Sequence, residues 1–425
     1  MSTTTYARAV AALDSVAWRG IMPGLERTRA LLAALGNPQV GLRGVLVAGT
    51  NGKGSVCATV DSVCRAAGHR TVLLTSPHLI SYCERIVRDG APISETEFGT
   101  LVARVWDAAE ALPDELQPTG FEVLTAAGIL VAREADAEVF VCEVGLGGRL
   151  DSTNVLDLGV AAVTNVALDH QDLLGATIPE IAREKAAIIK PGNRAVTGAT
   201  EPGLSAIRAR SVKVGATLSV VGAGVPFTGR SAGMHGVLVD SVFDGHPISV
   251  SSPLRGAFQV ANIATAIAVS DALRAEGAAI DAPAVVRGCE TVHWAGRMDW
   301  IDGEPAMLID GAHNPAGMAA MVASARELIG ARRTVAIFGA MRNKDVESMA
   351  AALRELTGEI IVTAPAVERA TPPGELAPLF DPAAEVAADV ATALDRARLL
   401  AGREGVVVVC GSLYLAGEVL ELVGV

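Results

Sequence analysis

The sequence predicts an α/β fold with mostly parallel sheets, built as a larger first domain and a smaller second one. Short apolar segments alternate with amphipathic segments through most of the 425 residues, which is the pattern of parallel strands covered by helices. The length exceeds that of one typical core and favours two domains. Hydrophobic residues make up 50% of the chain, enough for two large cores.

The first domain is predicted from five short apolar runs and one change of pattern. Between about 214 and 250, short alternating segments lie between glycines, which indicates antiparallel hairpins and hence a small β insertion. A helix is predicted from about Gln259 to Ala275, with Gly277 as its C-terminal stop. The five strands are expected at 45–48, 71–75, 139–142, 160–166 and 195–197.

The second domain begins near residue 300 and repeats the α/β alternation, which predicts a smaller Rossmann-like α/β domain. The segment 294–298 is the expected hinge, and we place the two domains at 1–296 and 297–425. The predicted strands are 306–309, 334–338, 359–363 and 406–410, and the predicted helices lie near 315–329, 346–356, 386–401 and 414–423.

Composition and charge argue against several classes of protein. A net charge of −12 disfavours non-specific binding to nucleic acid. We find no apolar run of the roughly 18 residues that a membrane helix needs, and Met1–Thr5 lacks the features of a secretory signal. The six cysteines form no Cys-x-x-Cys pair, which is typical of reduced, buried residues. We therefore expect a cytoplasmic protein without nucleic-acid, membrane or structural zinc binding.

A glycine-rich loop between a predicted strand and a predicted helix is the most informative segment. Such a loop exposes backbone N–H groups at a helix N-terminus and can hold phosphate, which predicts a P-loop mononucleotide-binding domain. Lys53 would reach the outer phosphates, and a hydroxyl would face Mg²⁺. An ordinary glycine-rich turn is the alternative. The loop departs from the common P-loop pattern at two positions. Val47 stands where that pattern has a glycine, and Gly54 stands where it has a serine or threonine. Its residues are Gly49, Thr50, Asn51, Gly52, Lys53, Gly54 and Ser55.

Polar residues follow three other predicted strands. Ligands bind at the carboxyl ends of strands in doubly wound sheets, so these residues should converge near the loop. Ser76 and then Glu84-Arg85 follow the strand at 71–75. Glu143 follows 139–142, and Asp169-His170 follows 160–166. A carboxylate at a strand end can hold Mg²⁺ beside a nucleotide, and the alternative for Glu143 is a surface acid.

Successive blocks along residues 49–417 resemble the folylpolyglutamate and dihydrofolate synthases, the folate branch of the Mur ligase superfamily. One departure is Ala187, where the family usually has glycine. Besides the loop Gly-Thr-Asn-Gly-Lys-Gly-Ser, the blocks are Ser76-Pro77-His78-Leu79, Phe121-Glu122, Glu143 to Asp151, Asp169-His170, Glu184-Lys185-Ala186, Asp310 to Pro315 and Gly411 to Tyr414.

The resemblance implies a site for ATP and Mg²⁺. The loop and Lys53 would hold the β- and γ-phosphates, and Ser76, Glu143 and His170 would ligate Mg²⁺. Histidine is unusual there, since Mg²⁺ prefers oxygen ligands, and a hydrogen-bonded strand-end histidine is the alternative. Lys185 would be carbamylated by CO₂ and support a second Mg²⁺, unless it forms a salt bridge with Glu143 or a neighbour.

The resemblance also implies the substrate contacts. Asn262 would contact adenine, and Arg297 and Asp310 would reach ATP from across the cleft. Segment 15–27, including Trp18, would form part of the pterin pocket or a capping loop. Catalytic His313, with Ser412 and Tyr414, would line the glutamate site. The folate or dihydropteroate would contact Ser76, Pro77, His78, Phe121, Glu122, Arg149 and Asp151.

The implied activity is an ATP-dependent amide ligase, expected to be a monomer, that joins L-glutamate to dihydropteroate or a folate through an acyl phosphate. Three alternatives remain: a peptidoglycan-type Mur ligase, a nucleotide-binding protein without ligase activity, and a non-catalytic folate-binding module. The first typically has an additional N-terminal UDP-binding domain, whereas only about 40 residues precede Gly49 here. An ATP-binding assay distinguishes the non-catalytic folate-binding module from the ligase.

Overall fold

Two mostly parallel sheets, one in each half of the chain, organise the fold in the computed structural model. The structure describes residues 5–16, 19–20 and 22–424, so Trp18 of the expected pterin-pocket segment lies outside the described residues. Both sheets have helices on their faces, as the alternating pattern predicts. The predicted fold class is confirmed.

An eight-stranded sheet forms the centre of the first half. Its strand order is β4-β3-β2-β5-β1-β6-β7-β8, and its only antiparallel pairs are β2–β3 and β3–β4 at one edge, so β3 alone runs against the other described strands. The strands are β1 (Gly44–Ala48), β2 (Thr71–Leu74), β3 (Ile86–Arg88), β4 (Ala91–Pro92), β5 (Val139–Glu143), β6 (Gly159–Val163), β7 (Arg194–Thr197) and β8 (Thr217–Val220). The helices are α1 (Thr5–Ser15), α2 (Glu26–Ala34), α3 (Lys53–Ala66), α4 (Glu95–Glu110), α5 (Gly120–Glu134), α6 (Gln171–Leu174), α7 (Ile178–Ala186) and α8 (Gly203–Val214).

The predicted β insertion is a three-stranded antiparallel sheet in the order β11-β10-β9. It starts at Thr228 and not near 214, because β8 instead extends the main sheet as a parallel strand beside β7. Its central strand alternates buried and exposed residues, so one face packs inward, against the helix that follows the sheet. That helix spans Gln259–Ala275, as expected from the sequence. The elements are β9 (Thr228–Ser231), β10 (Val237–Phe243), β11 (His246–Ser252), α9 (Gln259–Ala275) and α10 (Ala282–Thr291).

A six-stranded sheet forms the second half in the order β12-β13-β17-β14-β15-β16, and only the edge strand β12 is antiparallel. The strands are β12 (Asp299–Ile301), β13 (Ala306–Ile309), β14 (Thr334–Phe338), β15 (Ile360–Val362), β16 (Glu385–Val386) and β17 (Val406–Cys410). The helices are α11 (Pro315–Ile329), α12 (Val346–Arg354), α13 (Pro373–Leu376), α14 (Val390–Ala401) and α15 (Leu413–Val423).

Buried apolar residues explain why the central strands were predictable. β1, β5 and β17 are buried along their whole length, because helices cover both faces of each sheet.

Within the described residues all six cysteines are free and buried. No described helix is long and apolar enough to cross a membrane.

Two expected boundaries, of one strand and one helix, differ from the structure by three residues or more. The strand predicted at 160–166 ends at Val163, because the next residues turn to hydrogen-bond the glycine-rich loop. The helix predicted at 386–401 starts at Val390, because Asp389 caps it by accepting a hydrogen bond from the Thr392 N–H. The domain boundary at 296–297 lies between α10 and β12 and stays a prediction.

Candidate active site

A cavity of about 760 Å³ lies at the carboxyl ends of the strands, between the two halves of the chain. The glycine-rich loop after β1 and the segments after β2, β5 and β6 line it from the first half. The segments after β13, β14 and β17 line it from the second half. Every site residue predicted from the sequence lines this cavity except His78.

The glycine-rich loop has a backbone conformation that requires glycine. Gly52 has a φ of +79°, and a Cβ there would overlap the Asn262 side chain. The Asn51 N–H donates to Asn165 Oδ1 at 2.9 Å, and Thr164 Oγ1 donates to the Asn51 carbonyl at 2.6 Å. These bonds fix the loop, so that α3 starts at Lys53 with its free N–H groups at the cavity.

Lys53 and Glu143 face each other across the floor of the cavity. The Lys53 Nζ lies 4.0 Å from Glu143 Oε1, and the Ser76 N–H donates to Glu143 Oε2 at 3.2 Å. Burial raises the pKa of Glu143, and the nearby Lys53 ammonium partly opposes that rise. A cation and an anion are thus held side by side next to the phosphate loop.

Lys185 is buried beneath the loop. Its Nζ donates to the Gly49 carbonyl at 2.9 Å, and only 4% of the residue is exposed. The alternative of a salt bridge with Glu143 is not observed. Burial, with repulsion from Lys53, lowers the pKa of Lys185 to about 7. A substantial fraction of the amine is therefore neutral near pH 7.

Lys344, which was not predicted, joins the two halves across the cavity. Its Nζ donates to Asp169 Oδ1 at 2.7 Å and lies 3.0 Å from His170 Nε2. Burial would raise the pKa of Asp169, but Lys344 outweighs it and holds that pKa at about 2. Lys344 follows β14. The expectation that site residues lie after the carboxyl ends of strands, which located Ser76 and Glu143, therefore also applies to Lys344.

Replacing Lys344 by methionine should destabilise the protein by roughly 3 kcal/mol, because Asp169 then stays buried without its cation. Thermal unfolding measures the loss. The double variant K344M/D169N should recover most of it, since both charges are removed together. The exposed Lys213, changed to methionine, is the control. A K344M protein as stable as the parent would contradict a stabilising pair.

A second link between the halves involves amide side chains. Asn51 Nδ2 donates to Asn314 Oδ1 at 3.2 Å, and Asn314 Nδ2 donates to Asn51 Oδ1 at 2.9 Å. Asn314 also caps α11, since its Oδ1 accepts from the Gly317 N–H. The phosphate loop is thus bonded directly to the second half.

Asp310 and His313 occupy the turn after β13. The Asp310 carboxylate accepts from the N–H groups of Met298 at 3.0 Å and Ala312 at 2.7 Å. Burial raises the pKa of Asp310 to about 6, with Arg297 opposing the rise. His313 Nδ1 lies 2.8 Å from the Gly311 carbonyl, to which it donates, so Nε2 stays free as an acceptor. Burial and Lys344 lower the pKa of His313 to about 4.

Three charged residues expected to contact the folate already have protein partners. Asp151 accepts from the N–H groups of Leu146 at 2.8 Å and Thr153 at 3.0 Å. Glu122 pairs with Arg27 at 3.0 Å and caps α5, and Arg149 pairs with Glu184 at 2.9 Å. These residues shape the cavity wall, and their substrate contacts stay predictions.

The wall near these residues also contains apolar groups. The Phe121 ring lies against Gly145, where a Cβ would be 2.5 Å from the ring. Gly20, Met22, Pro23 and Gly24, from the segment expected at the pterin pocket, line the same cavity. This end of the cavity therefore offers apolar surface to a flat ring.

His78 differs from its expected position. It lies away from the cavity wall, and its ring contacts Tyr82 with the ring centroids 4.2 Å apart. Its Nδ1 accepts a hydrogen bond from Arg85 Nε at 2.8 Å. Arg85, which follows the same strand and was expected at this edge of the sheet, lines the cavity instead.

The remaining predicted residues lie at helix starts. Ser412 Oγ caps α15 by accepting from the Tyr414 N–H at 3.1 Å. Asn262 Nδ2 donates to Gln259 Oε1 at 2.7 Å, and Gln259 Nε2 donates to Ser55 Oγ at 3.2 Å. This chain of bonds fixes α9 against the phosphate loop.

The residues present fit a divalent cation that is held largely by phosphate oxygens. Among the described residues, no group of three or more His, Cys, Asp or Glu side chains could hold a metal ion. Mg²⁺ needs no such group, since it usually takes one or two carboxylates and completes its shell with water and phosphate. Glu143 supplies a carboxylate beside Ser76. His170 Nε2 accepts from Lys344, so Nδ1, buried without a hydrogen-bond partner among the described residues, carries the ring proton. His170 would have to exchange one of these protons before it could bind a metal ion.

Comparison with known proteins agrees with this geometry. Residues 47–270 match the family described as Mur ligase middle domain, and residues 296–413 match Mur ligase, glutamate ligase domain. The chain is 35% identical over 423 residues to the folylpolyglutamate synthase of Lacticaseibacillus casei, covering 96% of this chain and 97% of that protein. This chain belongs to the folylpolyglutamate and dihydrofolate synthase family.

Other relatives of this family differ in length. The chain is 36% identical to a probable bifunctional folylpolyglutamate synthase/dihydropteroate synthase of Halobacterium salinarum. That match covers 94% of this chain but 49% of the relative, so the chain spans about half of that protein.

Solved structures of folylpolyglutamate synthases share the whole fold. The Mycobacterium tuberculosis enzyme complexed with ADP and AMPPCP aligns with a TM-score of 0.92 at 32% identity, over 99% of this chain and 98% of that chain. A bifunctional synthase with Mn, AMPPNP and L-glutamate bound aligns with a TM-score of 0.87 at 29% identity, over 100% of both chains. The family expected from the sequence motifs is confirmed.

Proposed function

We propose that this protein is an ATP-dependent amide ligase that adds L-glutamate to dihydropteroate, reduced folates or both, with release of ADP and phosphate. One observation carries the proposal. A single cavity joins the phosphate loop, Lys53 and Glu143 of the first half to His313 and Ser412 of the second half. A related synthase binds a nucleotide, a divalent metal and L-glutamate together, which supports the same set of ligands here.

The first half is suited to phosphoryl transfer. A carboxylate is a poor electrophile, and transfer of the ATP γ-phosphoryl group to it makes an acyl phosphate. The loop N–H groups and Lys53 would stabilise the charge on the phosphates during this transfer. Ser76, Glu143 and His170 would hold Mg²⁺, which supplies further charge stabilisation when it is bound.

Lys185 is suited to carbamylation. A neutral amine can attack CO₂, forming an N–C bond and releasing a proton, and the product is an anion in place of a cation. The carbonyl of Gly49 and the nearby Lys53 surround the Lys185 Nζ. The carbamate oxygens would then face the cavity, where they could support a second metal ion.

The second half is suited to the amino acid. The amine of L-glutamate would attack the acyl phosphate, and phosphate would leave from the tetrahedral intermediate as the amide forms. His313 is neutral at physiological pH and can accept a hydrogen bond from that amine. The bonds of Lys344 and Asn314 to the first half hold the cleft closed, which protects an acyl phosphate from water.

ADP release with Mg²⁺, ATP and L-glutamate tests this proposal, with dihydropteroate and tetrahydrofolate compared as acceptors. Stimulation by dihydropteroate establishes dihydrofolate synthase activity, and stimulation by tetrahydrofolate establishes folylpolyglutamate synthase activity. Stimulation by neither contradicts the proposal and favours another Mur-type ligase or a nucleotide-binding protein. The monomeric state and the cytoplasmic location stay predictions.

A further inference from the structure

Arg85 is a cavity-lining cation that forms no ion pair with any described residue. It follows the short helical turn Tyr82–Arg85 and precedes β3. Its Nε donates to His78 Nδ1 at 2.8 Å, which is the one side-chain hydrogen bond of Arg85 within the described part of the chain. The two terminal nitrogens of the guanidinium are thus left to bind a ligand in the cavity.

Other cations of the cavity contrast with Arg85. Lys344 has the Asp169 carboxylate at 2.7 Å, and Arg149 has the Glu184 carboxylate at 2.9 Å. Burial lowers the pKa of Arg85, and the more distant Glu143 and Glu84 carboxylates oppose this only in part. A charge that loses water without a close counter-charge is unfavourable. An anionic ligand would supply that counter-charge. The planar guanidinium matches a carboxylate, with which it can form two parallel hydrogen bonds.

The guanidinium is held in position before any ligand binds. His78 accepts from Nε with a neutral ring, since burial and Arg85 lower its pKa to about 3. The Arg85 Cζ lies 5.3 Å from the Tyr82 ring centroid, a cation–π contact. The neighbouring Glu84 carboxylate accepts from three backbone N–H groups of residues 79–81, at 2.6–2.9 Å, so it does not neutralise Arg85.

Arg85 lies where the second half closes over the first. The segment that precedes it packs on α15, and a Cβ on Gly417 would overlap the Leu79 carbonyl. Tyr414, at the start of α15, interacts electrostatically with Arg85. Both Tyr414 and Ser412 line the same cavity. Arg85 therefore lies between Glu143, beside the phosphate loop, and the start of α15 in the second half, a position next to the carboxylate that would be activated.

We propose that Arg85 binds a carboxylate of the incoming L-glutamate and that His78 positions Arg85. The inference rests on the proposed function, which supplies the amino-acid substrate. Glutamate has two carboxylates that do not react, and a ligase that selects it needs cations for both. Of the other arginines that line the cavity without an ion pair, Arg297 donates from Nη1 to the Gly296 carbonyl and Arg369 is exposed. Arg85 keeps both terminal nitrogens free of partners among the described residues, with its Nε fixed by His78.

Steady-state kinetics on the full chain test this inference, with L-glutamate titrated at saturating ATP and acceptor. R85Q should raise the KM for glutamate about 10- to 100-fold, the range expected for a lost charged hydrogen bond, and leave the KM for ATP and acceptor unchanged. R85K should raise the KM for glutamate less than R85Q does. His78→Leu should also raise the KM for glutamate. His78→Asn, which keeps an acceptor near the position of Nδ1, should return that KM towards the parent value. Arg88→Gln, which removes an exposed pair with Glu97, is the matched control.

The amides of glutamate provide a second measurement. The parent enzyme should reject L-glutamine or L-isoglutamine, and R85Q should lose the discrimination against one of them. An unchanged KM for glutamate in R85Q, or a rise in the acceptor KM alone, overturns the role of Arg85. If R85Q does not fold, the KM for glutamate of R85K is measured in its place, and an unchanged value again overturns the role of Arg85. A parent enzyme without glutamate-dependent ADP release overturns the proposed function itself.

Discussion

Replacing Lys53 by alanine should reduce ADP release in the presence of acceptor and glutamate by about 1000-fold or more, the scale seen when a phosphate-directed cation or a transition-state donor is lost. Lys53 starts α3, lies 4.0 Å from Glu143 and lines the cavity beside the loop N–H groups. Its charge would stabilise the phosphates most while the γ-phosphoryl group is transferred.

The control for Lys53→Ala separates catalysis from folding. Lys213→Ala changes an exposed lysine of α8 and should leave turnover unchanged. Thermal unfolding should show that K53A keeps its fold, since the 4.0 Å pair with Glu143 is not a close hydrogen bond. Near-normal turnover by folded K53A would contradict the assignment of the phosphate loop.

Replacing Lys185 by methionine should reduce turnover by about 100-fold or more, because the carbamate that we propose there, an anion that would support a metal ion, could not form. The parent protein, incubated with carbon-13 bicarbonate, should show a carbamate resonance that is absent from K185M. The pKa of Lys185 is lowered to about 7, so the amine is neutral above pH 7 and protonated below it. The resonance should therefore fade as the pH falls below about 7.

A second lysine of this chain provides the control. Lys190 also has a pKa lowered by burial, to about 8, but it donates to Asn154 Oδ1 and does not line the cavity. Lys190→Met should leave the carbamate resonance in place. A resonance that survives in K185M, or full activity of K185M, would contradict carbamylation of Lys185.

The fold was largely predictable because its central strands are continuous apolar runs and α9 is an apolar segment of helical length. β1, β5 and β17 are buried on both faces, so each appears in the sequence as a continuous apolar run. Such a run can be recognised without knowing the rest of the chain. Two of the strands that were missed, β4 and β16, are two-residue edge strands with exposed side chains, and two others, β3 and β12, are only three residues long.

The candidate site was predictable where a residue directly follows a strand. This rule located Glu143 and His170, and applied to β14 it would have located Lys344. The same rule placed Arg85 at this edge of the sheet, but its lack of an ion pair among the described residues is visible only in the structure. Likewise, the capping role of Glu122 and the loop contacts of Asp151 depend on three-dimensional hydrogen bonds.

Oxygen transfer during turnover tests the central claim most directly. Dihydropteroate or tetrahydrofolate acceptor, labelled with oxygen-18 in the reacting carboxylate, is incubated with the protein, ATP, Mg²⁺ and L-glutamate. An acyl-phosphate ligase transfers one labelled oxygen to the released phosphate for each ADP and each glutamylated product. Release of unlabelled phosphate, with no glutamylated product, would mean that water attacks ATP and would contradict the account.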